Sequence, residues 1–138
     1  MSMTFDTKIA IVIRTDLEVW QKLNVTAFIA GAVAGQNPTI IGETYFDGSG
    51  NVYMPMTIQP IMVYGADADG IRKAYDRAMS RDVKLAIFTE ELFATGNDID
   101  NRAAVAAKKQ DELNLVGIAM RDSKKTVDKI IKGLKFHP

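Results

Sequence analysis

Lys8-Ile9-Ala10-Ile11-Val12-Ile13-Arg14 is the stretch that decides the fold. Apolar residues run unbroken from Ile9 to Ile13 between two charges. A strand with one wet face alternates apolar and polar residues. A short continuous run marks a strand covered on both faces. Such a strand needs helices on each side of its sheet, and the rest of the chain supplies strands and helices in alternation.

Outward from that run, Leu23 to Ala34 reads as a helix stopped by Gly35. It is apolar nearly all round, which predicts cover on most of its surface. Its small residues Ala27, Ala30, Gly31 and Ala34 would permit close packing. Ile40 to Phe46 and Asn51 to Met56 flank Asp47-Gly48-Ser49-Gly50, a hairpin signal. Ile58 to Tyr64 is a further strand. Pro60 within it predicts an edge or a bulge, because proline donates no ladder hydrogen bond.

Asp67 or Asp69 can cap the next helix, whose stripe is Ile71, Ala74, Tyr75, Ala78 and Met79. Lys84 to Thr89 is a short buried strand. Asn97 with Asp100 would start an Ala-rich helix through about Gln110. Leu115 to Met120 is the last strand. Ser123 caps a final helix with Val127, Ile130, Ile131 and Leu134 facing inward. The pattern predicts one α/β domain over residues 1–138, a three-layer α/β/α sandwich.

Composition narrows the chemistry. The chain has no cysteine, so disulfides, thiolate metal sites and thiol nucleophiles are all excluded. Its one histidine, His137, is next to last, which leaves no basis for a histidine metal cluster or a Ser-His-Asp triad. No metal and no cofactor is expected. There is no Walker loop, no Gly-x-Gly-x-x-Gly and no acidic cluster with EF-hand spacing.

Formal net charge is zero, so nucleic acid is not an expected partner. The basic residues Arg121, Lys124, Lys125, Lys129, Lys132 and Lys135 read as a solvated face. Met1-Ser2-Met3 reads as a loose start. Residues 1–8 lack the pattern of a secretory signal, and the apolar helix is too short and too polar to span a bilayer. A cytoplasmic location without a membrane partner is the expectation.

Three segments resemble the type II peptidyl-tRNA hydrolases. Ile9 to Leu17 followed by Gln21-Lys22 is similar to their opening strand and first helix start. Lys84 to Glu90 resembles their third strand, and Val127 to Lys135 their last helix. A closer resemblance is to the domain-of-unknown-function family 2000, related in structure to those hydrolases. It rests on Leu23-Asn24, Asp47-Gly48-Ser49-Gly50, Pro60-Ile61, Phe88-Thr89, Thr95 and Gly117, taken in order.

The resemblance implies a mixed sheet, with Leu115 to Met120 antiparallel to the first strand, where plain alternation would give an all-parallel one. It also implies a homodimer, to which the apolar Tyr53, Met54 and Met56 would contribute. Carried over residue by residue, the hydrolase lysine matches Lys22. Glu90 stands at the aspartate position, and Thr95 lies one residue past the threonine position. The helix Gln and His fall on Thr26 and Ile29, and Asn97 to Gln110 replaces a tight turn and hairpin.

Lys22, Glu90 and Thr95 are therefore the candidate catalytic residues. A lysine at a helix start beside a strand-end carboxylate can polarise a carbonyl while the carboxylate orients a water. The competing reading is a solvated ion pair. Arg14, Asp16, Trp20 and Asn24 are candidate ligand-binding residues. Arg14 suits a carboxylate or phosphate. Asp16 also suits a turn. Trp20 could wall an apolar pocket, and Asn24, if buried, must be hydrogen-bonded. With the hydrolase polar groups lost, a module binding a small molecule, a peptide or a protein is favoured. A diverged hydrolase is the alternative.

Overall fold

A computed structural model describes residues 5–138, so the start expected at Met1 to Met3 lies outside the described residues. The first half of the chain runs β1 (Thr7–Arg14), α1 (Val19–Gln36), β2 (Tyr45–Phe46), β3 (Val52–Tyr53) and β4 (Ile61–Ala66). The second half runs α2 (Ala68–Ser80), β5 (Ala86–Thr89), α3 (Asp98–Ala106), β6 (Leu115–Ser123), α4 (Lys124–Ile130) and β7 (Lys135–Phe136). A five-stranded sheet has the order β5-β6-β1-β4-β7.

β1 is the middle strand. It pairs in parallel with β4, from Ile9 opposite Ile61 to Arg14 opposite Ala66. It pairs antiparallel with β6, from Thr7 opposite Ser123 to Ile13 opposite Gly117. The mixed sheet implied by the resemblance is present, and the all-parallel alternative is not.

Strand residues alternate between faces, and the two cores follow. Ile9, Ile11 and Ile13 pack with Val25, Ile29 and Val33 of α1. Ala10 and Val12 pack with Ile71, Ala74 and Ala78 of α2 and with Val127 and Ile130 of α4. Every residue from Ile9 to Ile13 is completely buried. Each isoleucine or valine there contributes about 1.5–3 kcal/mol relative to staying exposed.

α1 begins a turn earlier than its apolar pattern suggests. The Gln21 side chain accepts the Glu18 N–H at 3.0 Å and closes the first turn. The expected all-round cover is wrong. Only Val25, Ile29 and Val33 are buried, while Leu23 and Phe28 are exposed on the outer side. One helix lying on a sheet has only one face to bury.

Pro60 precedes β4 instead of interrupting it, so β4 is an interior strand and loses no ladder bond. Beside it, buried Gln59 clamps the start of β1. Its amide donates to the Thr7 carbonyl at 3.1 Å and its oxygen accepts from the Thr7 hydroxyl at 3.2 Å. The final helix is shorter than expected and stops at Ile130. Gly133, at φ +88°, turns the chain back so that β7 pairs with β4. There Phe136 stacks on Tyr64 with ring centroids 5.1 Å apart.

β2 and β3 form a short separate arm instead of extending the sheet. The Asp47 carboxylate holds its turn. It accepts from the Tyr53 hydroxyl at 2.7 Å, from the Asn51 amide and backbone, and from the Ser49 backbone. These bonds, led by the Tyr53 hydroxyl, lower its pKa to about 2.

Gly117 sets how close α1 can come. The ladder shifts register between Phe88 and Thr89, the signature of a bulge in β6. A Cβ on Gly117 would lie 2.5 Å from Val25 Cγ1 and 3.2 Å from Ile29 Cδ1. Gly117→Ala is therefore expected to cost about 1–3 kcal/mol by overpacking. Gly31, where an added methyl would meet nothing within 4 Å, is the control. Gly31→Ala is expected to stabilise by about 0.5–1 kcal/mol, because alanine loses less entropy in a helix. Urea unfolding of both variants checks the pair, and opposite signs are the expected result.

Candidate functional site

The carboxyl ends of β1 and β5 and the start of β6 meet at one end of the sheet, the usual place for a ligand in such folds. Arg14 ends β1. Its Nε and Nη2 grip Asp16 at 3.0 and 2.7 Å, and its Nη1 donates to Asn114 Oδ1 at 2.9 Å. The Asn114 amide then donates to Glu90 Oε2, while the Glu90 N–H donates to the Asn114 carbonyl at 3.0 Å. Asp16, Arg14, Asn114 and Glu90 thus form one bonded chain. Asn114 has no counterpart among the candidates read from sequence, because an asparagine before a strand looks like an ordinary turn residue.

This chain is largely self-satisfied. The bond from Arg14 holds the Asp16 carboxyl below its ordinary value, helped at longer range by Lys22. The same bond raises Arg14, with Glu90 adding to it. An arginine engaged on both sides has little left for an incoming anion.

The other candidates do not bond to one another. Lys22 and Glu90 form no ion pair. The Thr95 hydroxyl is engaged by other groups: it bonds the Leu92 carbonyl at 2.9 Å and the Asn101 side chain of α3. Trp20 is 60% exposed and meets the edge of Phe93, with ring centroids 5.8 Å apart. Asn24 is exposed, so the hydrogen bonding that burial would demand is not required of it. Among the described residues, no group of three or more His, Asp or Glu side chains could hold a metal ion, and no helix is long and apolar enough to cross a membrane.

A more open feature runs along the sheet edge. α3 lies beyond β5 with no residue fully buried, and leaves a groove of about 660 Å³ between itself and α1. Phe28, Ile29, Phe88, Leu92 and Val105 line it, with Asn101 and the Asp98–Arg102 ion pair as polar neighbours. Toward the end of α1 the groove adjoins a smaller cavity of about 250 Å³, and both share Ala32, Leu85 and Ala86 as lining. Sequence reading missed this groove, since it is made by residues distant in the chain. The one usable signal was the length of the Ala-rich segment from Asn97.

The fold defined here is a mixed α/β sheet with α1 on one face and α2 and α4 on the other. The chain belongs to the DUF2000 family of proteins of unknown function, whose family model matches residues 7–138. It is similar to the solved structure of Atu0240, a protein of unknown function from Agrobacterium tumefaciens. The two share 49% identity over 98% of this chain and 100% of that one, with a TM-score of 0.95. No curated protein matches it.

The Arg14–Asp16 pair makes a testable electrostatic statement. Its folded-state Asp16 pKa is depressed, so its stabilising effect is full above the ordinary aspartate value. It is lost as pH falls through the folded-state value. In Arg14→Met the Asp16 carboxyl is expected to titrate higher than in the parent. Carbon-detected NMR of the Asp16 carboxyl measures this, and an unchanged titration would remove Arg14 as the principal cause.

Proposed function

We propose that this protein is a binding module rather than a peptidyl-tRNA hydrolase, and that it holds a small molecule with an apolar body in the groove between α1 and α3. The groove itself carries the reading. Its volume of about 660 Å³ falls within the roughly 300–1,000 Å³ of small-molecule pockets, and apolar walls with a few polar groups are their usual lining. The loss of a catalytic constellation supports the same reading. Thr95 is committed to Leu92 and Asn101, and Glu90 to Asn114. A lysine and a carboxylate that do not meet give no placed acid–base pair.

The peptidyl-tRNA hydrolase relationship belongs to this proposal as a shared ancestry of fold, as does a cytoplasmic setting. A diverged hydrolase using Lys22, Glu90 and Thr95 remains the second reading. It is favoured by the polar chain at the carboxyl end of the sheet, where Lys22 acts on Asp16.

A neutral fluorescent probe, N-phenyl-1-naphthylamine, is expected to bind the parent protein and to bind Val105→Arg at least about tenfold more weakly, because a charge then stands in the apolar wall. Val105 is half-buried on a surface helix, so the variant should keep its circular dichroism. Equal binding by both proteins would sink the groove. Turnover of a peptidyl-tRNA that disappears in Lys22→Ala would replace the proposal with the hydrolase reading.

We also infer that two copies associate through the arm and the outer start of α1. Val19, Trp20 and Leu23 are exposed there, as are Tyr45, Phe46, Val52, Tyr53, Met54 and Met56 on the arm. A lone two-stranded hairpin is at best marginal in water, so this arm gains by being covered. Aromatic side chains bury about 150–250 Å² each, and the exposed set approaches the roughly 800 Å² per partner of a stable interface. Light scattering at tens of micromolar is expected to give a dimer for the parent and a monomer for the double variant Tyr53→Lys, Met54→Lys. A monomeric parent would overturn the inference.

A further inference from the structure

Arg121 lies on β6 opposite Ile9, at the end of the sheet remote from Arg14. It is half-buried and has no carboxylate partner within 4.0 Å among the described residues. Its Nε–H is buried and meets no acceptor. Among the described residues its side chain makes one hydrogen bond, from Nη1 to Asn37 Oδ1, and it is long, at 3.3 Å. A buried donor left unpaired costs about 1–3 kcal/mol, and a charged one without a counter-charge costs more.

The surroundings sharpen the point. Lys84 stands two residues before Ala86, the first residue of β5, which lies opposite Ala119 of β6, and Arg121 stands two residues beyond Ala119. Both residues line the cavity of about 250 Å³, with Val33, Gln36 and Asn37 of the α1 end as its wall and Ala86 and Ala119 as its apolar floor. The Val33 carbonyl, which would otherwise present negative charge there, is already bonded by the Asn37 backbone at 3.0 Å and its amide at 2.9 Å. Asn37 in turn holds Nη1, and Nε is enclosed by protein, so Nη2 is the donor left for another partner. A guanidinium N–H is a charge-assisted donor to a carboxylate.

We propose that this cavity is the head-group site of the groove: it takes the carboxylate of an amphipathic organic acid, whose apolar body lies along α1 and β5 toward Phe28 and Leu92. The proposal rests on the groove reading and adds to it the charge and class of the ligand. Arg121 supplies a charge-assisted donor through Nη2, Lys84 the second positive charge, and the shared lining of Ala32, Leu85 and Ala86 provides the continuous path between head and body.

The test compares decanoate with decanol, equal in chain and different in head, by titration calorimetry on the full chain below the micellar concentration. Decanoate is expected to bind about tenfold or more tightly than decanol, the scale of a charge-assisted contact. Arg121→Met is expected to abolish that preference and leave decanol binding unchanged. Lys84→Met, at an exposed position where folding is not at risk, is expected to reduce the preference several-fold. A preference that survives both substitutions, or equal affinities in the parent, would overturn the head-group site while leaving the groove in place. Failure of both ligands to bind the parent would overturn the groove and the head-group site together.

Discussion

Everything in this molecule depends on β1 being dry on both sides. From Ile9 to Ile13 no side chain touches water, so each flanking layer must stay in place for the strand to remain buried. Its backbone is equally committed, to β4 on one edge and β6 on the other. Both neighbours come from distant parts of the chain. The sheet is therefore held by contacts of long sequence separation, and its two cores are coupled through a single strand. A change felt on the α1 side is one strand thickness from the α2 side.

Gly117 is the second constraint, and it works through the first. The opposite residue on β1 is Ile13, whose Cδ1 would lie 3.3 Å from any Cβ placed on Gly117. Val25 and Ile29 of α1 fill the same space. The absence of a side chain lets α1 approach the centre of the sheet at that point. Beyond it, toward Gln36, α1 runs past Ala119 and Ala86, where small side chains leave room and the cavity opens. Close approach at one end and free space at the other are two results of residue size along one helix–sheet contact.

Charge is divided along the same axis. At the carboxyl end of β1, Arg14 is neutralised by Asp16 and tied through Asn114 to Glu90. At the opposite end, Arg121 and Lys84 line one cavity, and neither has a carboxylate within 4.0 Å among the described residues. A formal net charge of zero conceals this difference, because it sums residues that the fold holds far apart. The end that resembles an active site in sequence is electrostatically closed, and the end that resembles nothing is open.

The sequence by itself determined the central strand, the helix caps and the turns. Those follow from local chemistry: an unbroken apolar run, a capping side chain such as Asp67 bonding the Gly70 N–H, or a glycine accepting positive φ at Gly50. The direction of β6 came from resemblance, since periodicity carries no strand direction. What only the tertiary structure decided is how distant groups meet. The one-sided burial of α1 and the return of the chain at Gly133 into β7 are of this kind. So are the Arg14–Asn114 contact across 100 positions and the meeting of Lys84 and Arg121 at one cavity. A residue's partner across a sheet is fixed by register and layer geometry, and neither is written in the spacing of neighbours along the chain.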